Sequence, residues 1–150
     1  MAKKKNNLKF YEAIGRRKTS IARVRLYVAT GSKEIKGADV PMKKGDIIVN
    51  NMPISEYLPG DATKAQFMLP LQYTQAEERF AISIKTRGGG KQGQMEAIIL
   101  GISRALELVD GAHRAILKPH NLLSRDARAR ERRKPGTGGR ARRKKQSPKR

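Results

Sequence analysis

The chain has 150 residues, 34 of them Lys or Arg against 13 Asp or Glu, and a formal net charge of +21. That excess calls for a polyanionic partner, because phosphate backbones attract cations and release condensed counterions when they are bound. No cysteine is present and there are only two histidines, which leaves no disulfide or thiolate metal site, and no run of about 18 apolar residues spans a bilayer.

Residues 1–7 are basic and polar, lack the apolar stretch of a signal peptide, and are expected to be a flexible N-terminus in a cytoplasmic protein. Leu8 to Ile14 reads as a strand with Leu8, Phe10 and Ile14 on one face, broken by a tight basic turn over Gly15-Arg16-Arg17-Lys18-Thr19. Ile21 to Val28 alternates cleanly. Ala22, Val24, Leu26 and Val28 are predicted to face inward, with Arg23, Arg25 and Tyr27 outward, as in a half-buried antiparallel strand with a basic outer face. Gly31 to Gly45 is a polar loop with room for a short extra strand, and Asp46 to Asn50 is a compact third strand. A short helix is predicted over Pro53–Leu58, and a second from Asp61 or Thr63 to Leu69, ending before Pro70. Arg79 to Thr86 is the fourth strand, with Phe80, Ile82 and Ile84 inward.

The longest helix comes next, over Lys91 to Asp110. Met95, Ile98, Ile99, Ile102, Ala105, Leu106 and Val109 keep helical spacing and should lie on the sheet. Gly111 fits the position that stops it. Ala115-Ile116-Leu117 is a short apolar return, and Leu122-Leu123 is placed to pin the root of the C-terminal tail to the core. The domain reading is therefore a flexible stretch over 1–7, a globular α+β domain over 8–123, and an extended basic tail over 124–150. The domain itself is predicted to hold four strands and several helices, with the longest helix lying on the sheet.

The tail carries thirteen Lys or Arg against Asp126 and Glu131, 13 − 2 = +11, and no large apolar residue. Such a segment buries too little to offset the entropy of ordering, so alone in water it is expected to be disordered and to gain order on a polyanion. Its 27 residues reach roughly 90 Å if extended. The candidate RNA-binding residues fall into three groups. The first is the predicted turn and the outer strand face: Arg16, Arg17, Lys18, Arg23 and Arg25. The second is the glycine loop with its flanking cations: Arg87, Gly88, Gly89, Gly90 and Lys91. The third is the tail: Arg125, Arg128, Arg130, Arg132, Arg133, Lys134, Arg140, Arg142, Arg143, Lys144 and Lys145.

The glycine loop, Gly88 to Gly93, has the spacing of a dinucleotide-binding fingerprint between a strand and a helix. The rest of that fold is missing. There is no repeated β-α-β pattern, and Asp110 ends a helix instead of the next strand. A Walker loop also fails, because Gln94-Met95 stand where Lys and Ser/Thr are required. What remains is a loop whose glycines admit a close backbone, beside a helix N-terminus with unpaired N–H groups, for which a nucleic-acid phosphate is a fitting guest. No catalytic constellation, cofactor site or metal site stands out, and the chain is not read as an enzyme. Few aromatics and no helix-turn-helix or zinc finger argue against base stacking and against sequence-specific DNA reading. An arginine-rich arm on a small α+β domain suits folded RNA.

Gly15-Arg16-Arg17-Lys18-Thr19-Ser20-Ile21-Ala22-Arg23-Val24 resembles the opening motif of the family of universal small-subunit ribosomal protein nine, in its bacterial or organellar form. Ile48-Val49-Asn50, Tyr57-Leu58-Pro59, the loop from Gly88, Gly101-Ile102-Ser103-Arg104-Ala105-Leu106, Leu122-Leu123-Ser124-Arg125-Asp126, Glu131-Arg132-Arg133-Lys134-Pro135-Gly136 and Lys149-Arg150 continue the match in order. The resemblance implies a small two-layer α+β sandwich of a mixed four-stranded sheet and helices, like the second domain of small-subunit ribosomal protein five, with a left-handed β-α-β crossover against the usual rule. It implies a structural constituent of the subunit head that binds small-subunit rRNA. It also implies neighbouring head proteins as partners, no cofactor, no membrane and no free homo-oligomer. It carries a tRNA contact over to Lys149 and Arg150, near the P-site anticodon stem-loop. The Gly31–Gly45 loop is longer than the family's pattern, Thr137-Gly138-Gly139 replaces a more basic stretch, and Pro148 stands before Lys149 where an aromatic is usual nearby. A protein cofactor of a ribozyme, on a similar fold, is the alternative within RNA work; a nucleotide-binding enzyme using the glycine loop is the alternative outside it.

Overall fold

The computed structural model describes residues 9–28, 35, 41–130 and 132. The predicted N-terminal stretch, most of the Gly31–Gly45 loop, and the tail positions Arg133, Lys134, Arg140, Arg142, Arg143, Lys144, Lys145, Lys149 and Arg150 lie outside these residues.

β1 (Phe10–Arg17) and β2 (Ser20–Val28) form an antiparallel hairpin, and β2 pairs antiparallel with β5 (Phe80–Arg87). β3 (Ile47–Val49) lies parallel to β5, and β4 (Met52–Pro53) closes the sheet as its other edge. The order is β1-β2-β5-β3-β4, five strands where four were predicted. The missed strand is two residues long and contains a proline, which is tolerated at a sheet edge because only one side needs N–H donors. Between β3 and β5 run β4, α1 (Ile54–Tyr57) and α2 (Asp61–Tyr73); α3 (Lys91–Val109) and α4 (His113–Leu117) come after β5.

One face of the sheet carries the main core. Ala22, Val24, Leu26, Ile82, Ile84 and Val49 pack against Ile98, Ile102, Ala105 and Leu106 of α3 and against Phe67 and Leu71 of α2. α3 is buried on more than the predicted stripe, with Ala97, Leu100, Gly101 and Ser103 also enclosed. α2 covers a second side of it, and Gly101 lets β2 come close.

Three expectations for β1 and α2 are corrected. The predicted turn Gly15–Thr19 shrinks to Lys18-Thr19, because Gly15, Arg16 and Arg17 continue β1 opposite Ala22, Ile21 and Ser20. The inward face of β1 is the opposite of that predicted: Tyr11, Ala13, Gly15 and Arg17 point to the helices, while Phe10 and Ile14 are exposed. Apolar residues stand on both faces of β1, and tertiary packing chose the one with the glycine. α2 runs through Pro70 instead of stopping before it. An internal proline costs about 3 kcal/mol or more. Burying Phe67 and Leu71 is worth about 1.5–3 kcal/mol each, enough to offset it.

Among the described residues the second face is covered at one end only. Tyr27, predicted outward and exposed, is buried there with Ala81 under Ile35 and Met42, which form an isolated antiparallel bridge. Val28, predicted inward, is exposed. Of the extra strand expected in the Gly31–Gly45 loop, the described residues show this bridge.

Candidate nucleic-acid interface

The other end of that second face is cationic. The register sets Ile14, Arg23 and Lys85 in one row across β1, β2 and β5, and Arg16, Ile21 and Arg87 in the next. Arg16, Lys85 and Arg87 are exposed and Arg23 half-exposed, and Arg23, Lys85 and Arg87 line an open groove bordered by Asn50. Arg23 and Lys85 are direct cross-strand neighbours of like charge. Lys85 was missed in the sequence although its signal was there: with Phe80, Ile82 and Ile84 inward, alternation turns Lys85 outward beside Arg87.

Arg25, one row further, is engaged within the protein. Its Nε donates to Glu12 Oε2 at 2.6 Å and its guanidinium lies over the Phe10 ring at 4.9 Å. The Glu12 hydrogen bond raises the Arg25 pKa above its ordinary value.

The glycine loop joins the same end of the sheet, because Gly88 packs on the tip of the β1–β2 hairpin. Gly88 and Gly89 have φ of +75° and +66°, and a Cβ on them would stand 2.5 Å from Thr19 O and 2.0 Å from Ser20 Oγ. The backbone admitted by these glycines is therefore the chain's own. Gly88 O accepts from Ser20 Oγ at 3.2 Å and from Gln94 Nε2 at 3.1 Å. Gly90 is different: open space surrounds it, and α3 begins there without a capping side chain, next to exposed Lys91. Lys18, at the hairpin tip, is also exposed.

An amide network holds this end rigid. Asn50, at φ 48°, accepts from the Thr86 N–H at 3.0 Å and donates to Thr86 O at 3.1 Å, so its side chain extends the β3–β5 ladder by one step. Tyr57 OH donates to Gln94 Oε1 at 2.6 Å and lies 3.1 Å from Thr86 Oγ1, which ties α1 and α3 to β5.

Arg17 was expected on an exposed basic turn beside Arg16; it is buried instead, on the helix side of β1. Its Nε pairs with Glu96 Oε2 of α3, its Nη2 lies 3.1 Å from Asp126 Oδ2, and its Nη1 donates to Arg128 O at 3.1 Å. Asp126 in turn accepts from the Arg128 guanidinium at 2.7 Å and from the Arg128 backbone N–H at 2.9 Å. The side-chain bond from Arg128, then its backbone N–H, hold the Asp126 carboxyl well below the usual carboxylate range, and the charges of Arg128 and Arg17 add to this. Leu122 and Leu123 are half-buried against the core, and Arg125, Arg128, Arg130 and Arg132 beyond them are exposed.

The structure thus brings Arg16, Arg23, Arg87, Gly88–Gly90 and Lys91 to one end of the sheet with Lys18, adds Lys85, and places Arg17 among carboxylates. Among the described residues no group of three His, Cys, Asp or Glu side chains could hold a metal ion, and no helix is long and apolar enough to cross a membrane.

The profile of the family described as ribosomal protein S9/S16 matches residues 15–150. Proteins named small ribosomal subunit protein uS9 are similar over most of their length. That of Chlorobium luteolum is 40% identical over 125 residues, 83% of this chain and 86% of its own. That of Solidesulfovibrio magneticus is 41% identical over 130 residues, 87% and 89% of the two chains. That of Amoebophilus asiaticus is 40% identical over 129 residues, 86% and 90%.

Proposed function

The chain belongs to the ribosomal protein S9/S16 family and is a non-enzymatic structural protein of the small ribosomal subunit, and within that role we propose that it binds the rRNA of the subunit head through two cationic surfaces. The first is the open end of the sheet, with Arg16, Lys18, Arg23, Lys85 and Arg87 on the strands and hairpin tip, and Gly90-Lys91 at the start of α3. The second is the tail, from Arg125 onward. The observation that carries this reading is the gathering of Arg16, Arg23 and Arg87 on three neighbouring strands, with exposed Lys18 and Lys91 beside them, at a sheet end that no other part of the described chain covers. Phosphates offset those charges, and a fixed array of cations positions a backbone without reading bases.

The tail ends in Lys149-Arg150, for which the family resemblance supports a contact with the P-site tRNA. The same resemblance supports a left-handed crossover between β3 and β5, neighbouring head proteins as partners, and residence with the ribosome in the cytoplasm.

The absence of native cysteine makes tethered cleavage a direct test. Single variants Arg23→Cys and Lys85→Cys, each carrying an iron chelate and reconstituted into small subunits, are expected to cut rRNA of the head at overlapping positions. Subunits with full occupancy and no cut from either position would overturn the assignment of this face.

A further inference from the structure

We propose that Arg17 is a positioning residue, not a phosphate ligand: its three guanidinium nitrogens lock the root of the basic tail onto the folded domain before any RNA is present. Each nitrogen has its own partner. Nε takes Glu96 on α3, Nη2 takes Asp126, and Nη1 takes the backbone carbonyl of Arg128, so one side chain joins β1, α3 and the chain as it leaves the domain. The Arg17 side chain is only 10% exposed, whereas Glu96 and Asp126 are about one-third exposed, so the cation is the enclosed member and the carboxylates form the outer layer. Of the two arginines on Asp126, the Arg128 side chain is 83% exposed and the Arg17 side chain 10%, so a phosphate on this side meets Arg128 and not Arg17. Asp126 closes the arrangement. It binds Arg17 through one oxygen and holds the Arg128 N–H and guanidinium, so residues 126–128 form a turn that fixes where the tail departs.

This matters because the tail's reach is useful only if its origin is fixed. A long cationic segment attached to a loose root spreads its charges over a large volume, and binding RNA must then supply the entropy of orienting it. A root held at Arg128 removes the first residues of that cost. The geometry needs a guanidinium. A lysine carries the same charge but is a compact ammonium without the planar fork, and it cannot face three acceptors in these directions.

The test uses the full chain free in solution, without RNA, so it succeeds or fails independently of the rRNA reading. Backbone order parameters are measured by ¹⁵N relaxation for Ser124–Arg128 and for β2. In the native protein the two should agree near the rigid value of about 0.85. In Arg17→Lys and in Asp126→Asn the root should fall below about 0.6 while β2 is unchanged. A native root as mobile as a free peptide overturns the proposal, as does a root that stays rigid in both variants. If Arg17→Lys unfolds the domain, Asp126→Asn decides alone, because Asp126 lies outside the core: a rigid root in that variant overturns the lock.

Discussion

Replacing Gly15 by alanine puts a methyl carbon 1.8 Å from the carbonyl oxygen of Ala97 and 2.6 Å from the amide nitrogen of Gly101. Real Cβ atoms essentially never come closer than 3.0 Å to another heavy atom, so β1 and α3 must part by about 1.2 Å at this point. What obstructs is helix backbone, which has no rotamer to change and is packed between the sheet and α2. Overpacking of this kind costs about 1–3 kcal/mol, and a backbone obstacle puts it at the upper end. Gly15→Ala also narrows the unfolded ensemble, which returns up to about 1 kcal/mol. The net loss is about 2 kcal/mol, a fall in Tm of about 10 °C for a domain of this size. Gly101→Ala is the informative companion. Its methyl would meet Val24 Cγ2 at 2.6 Å and the Gly15 backbone nitrogen at 3.3 Å, a milder overlap, and alanine gains about 1 kcal/mol of helix propensity, so its net cost should be about 1 kcal/mol, below that of Gly15→Ala. Thermal unfolding followed by circular dichroism checks both. A Gly15→Ala protein melting within about 3 °C of the native one, or melting above Gly101→Ala, would refute the close β1–α3 approach.

Three further outcomes rest on the charges. Affinity for small-subunit rRNA should fall steeply with salt. If about eight phosphates are neutralised the log–log slope is roughly −6 to −7, and a filter-binding slope shallower than about −2 would rule out charge as the main contributor. Removing Lys149-Arg150 should leave assembly nearly normal, since the other tail cations and the sheet end remain, and should modestly speed tRNA dissociation from the P site of purified small subunits. Equal dissociation rates at equal occupancy would remove the tRNA role. The Asp126 carboxyl is depressed in the folded protein, so its hold on the tail root is complete above the ordinary carboxylate pKa of about 3.9 and is lost only as pH falls through its lower folded value. Tryptic cleavage after Arg125 in refolding-competent samples equilibrated between pH 7 and pH 4.5 should therefore be flat once corrected for the enzyme's own pH profile. A rise within that window would contradict the assigned pairing.

The amino-acid sequence by itself determined the α+β class, the two long hairpin strands, the late long helix and the basic tail. Each of these is written in short-range signals: alternation at Ile21–Val28, helical spacing from Met95 to Val109, and a tail with nothing to bury. The cationic face was legible for the same reason, because alternation that puts Val24 and Ile84 inside puts Arg23 and Lys85 outside. Tertiary structure alone decided the rest. β1 has apolar residues on both faces, and its orientation depends on Gly15, whose missing side chain is useful only when Ala97 of α3 lies against it. Pro70 reads as a stop until Phe67 and Leu71 are seen in the core. Arg17 and Arg16 are adjacent cations with the same local signal. They have opposite fates because a strand sends neighbours to opposite faces, one toward solvent and the other to Glu96 and Asp126, residues 79 and 109 positions away in the chain. Only the packing of α3 and the returning chain beside β1 brings these carboxylates within reach, and no periodicity in the sequence encodes that distance.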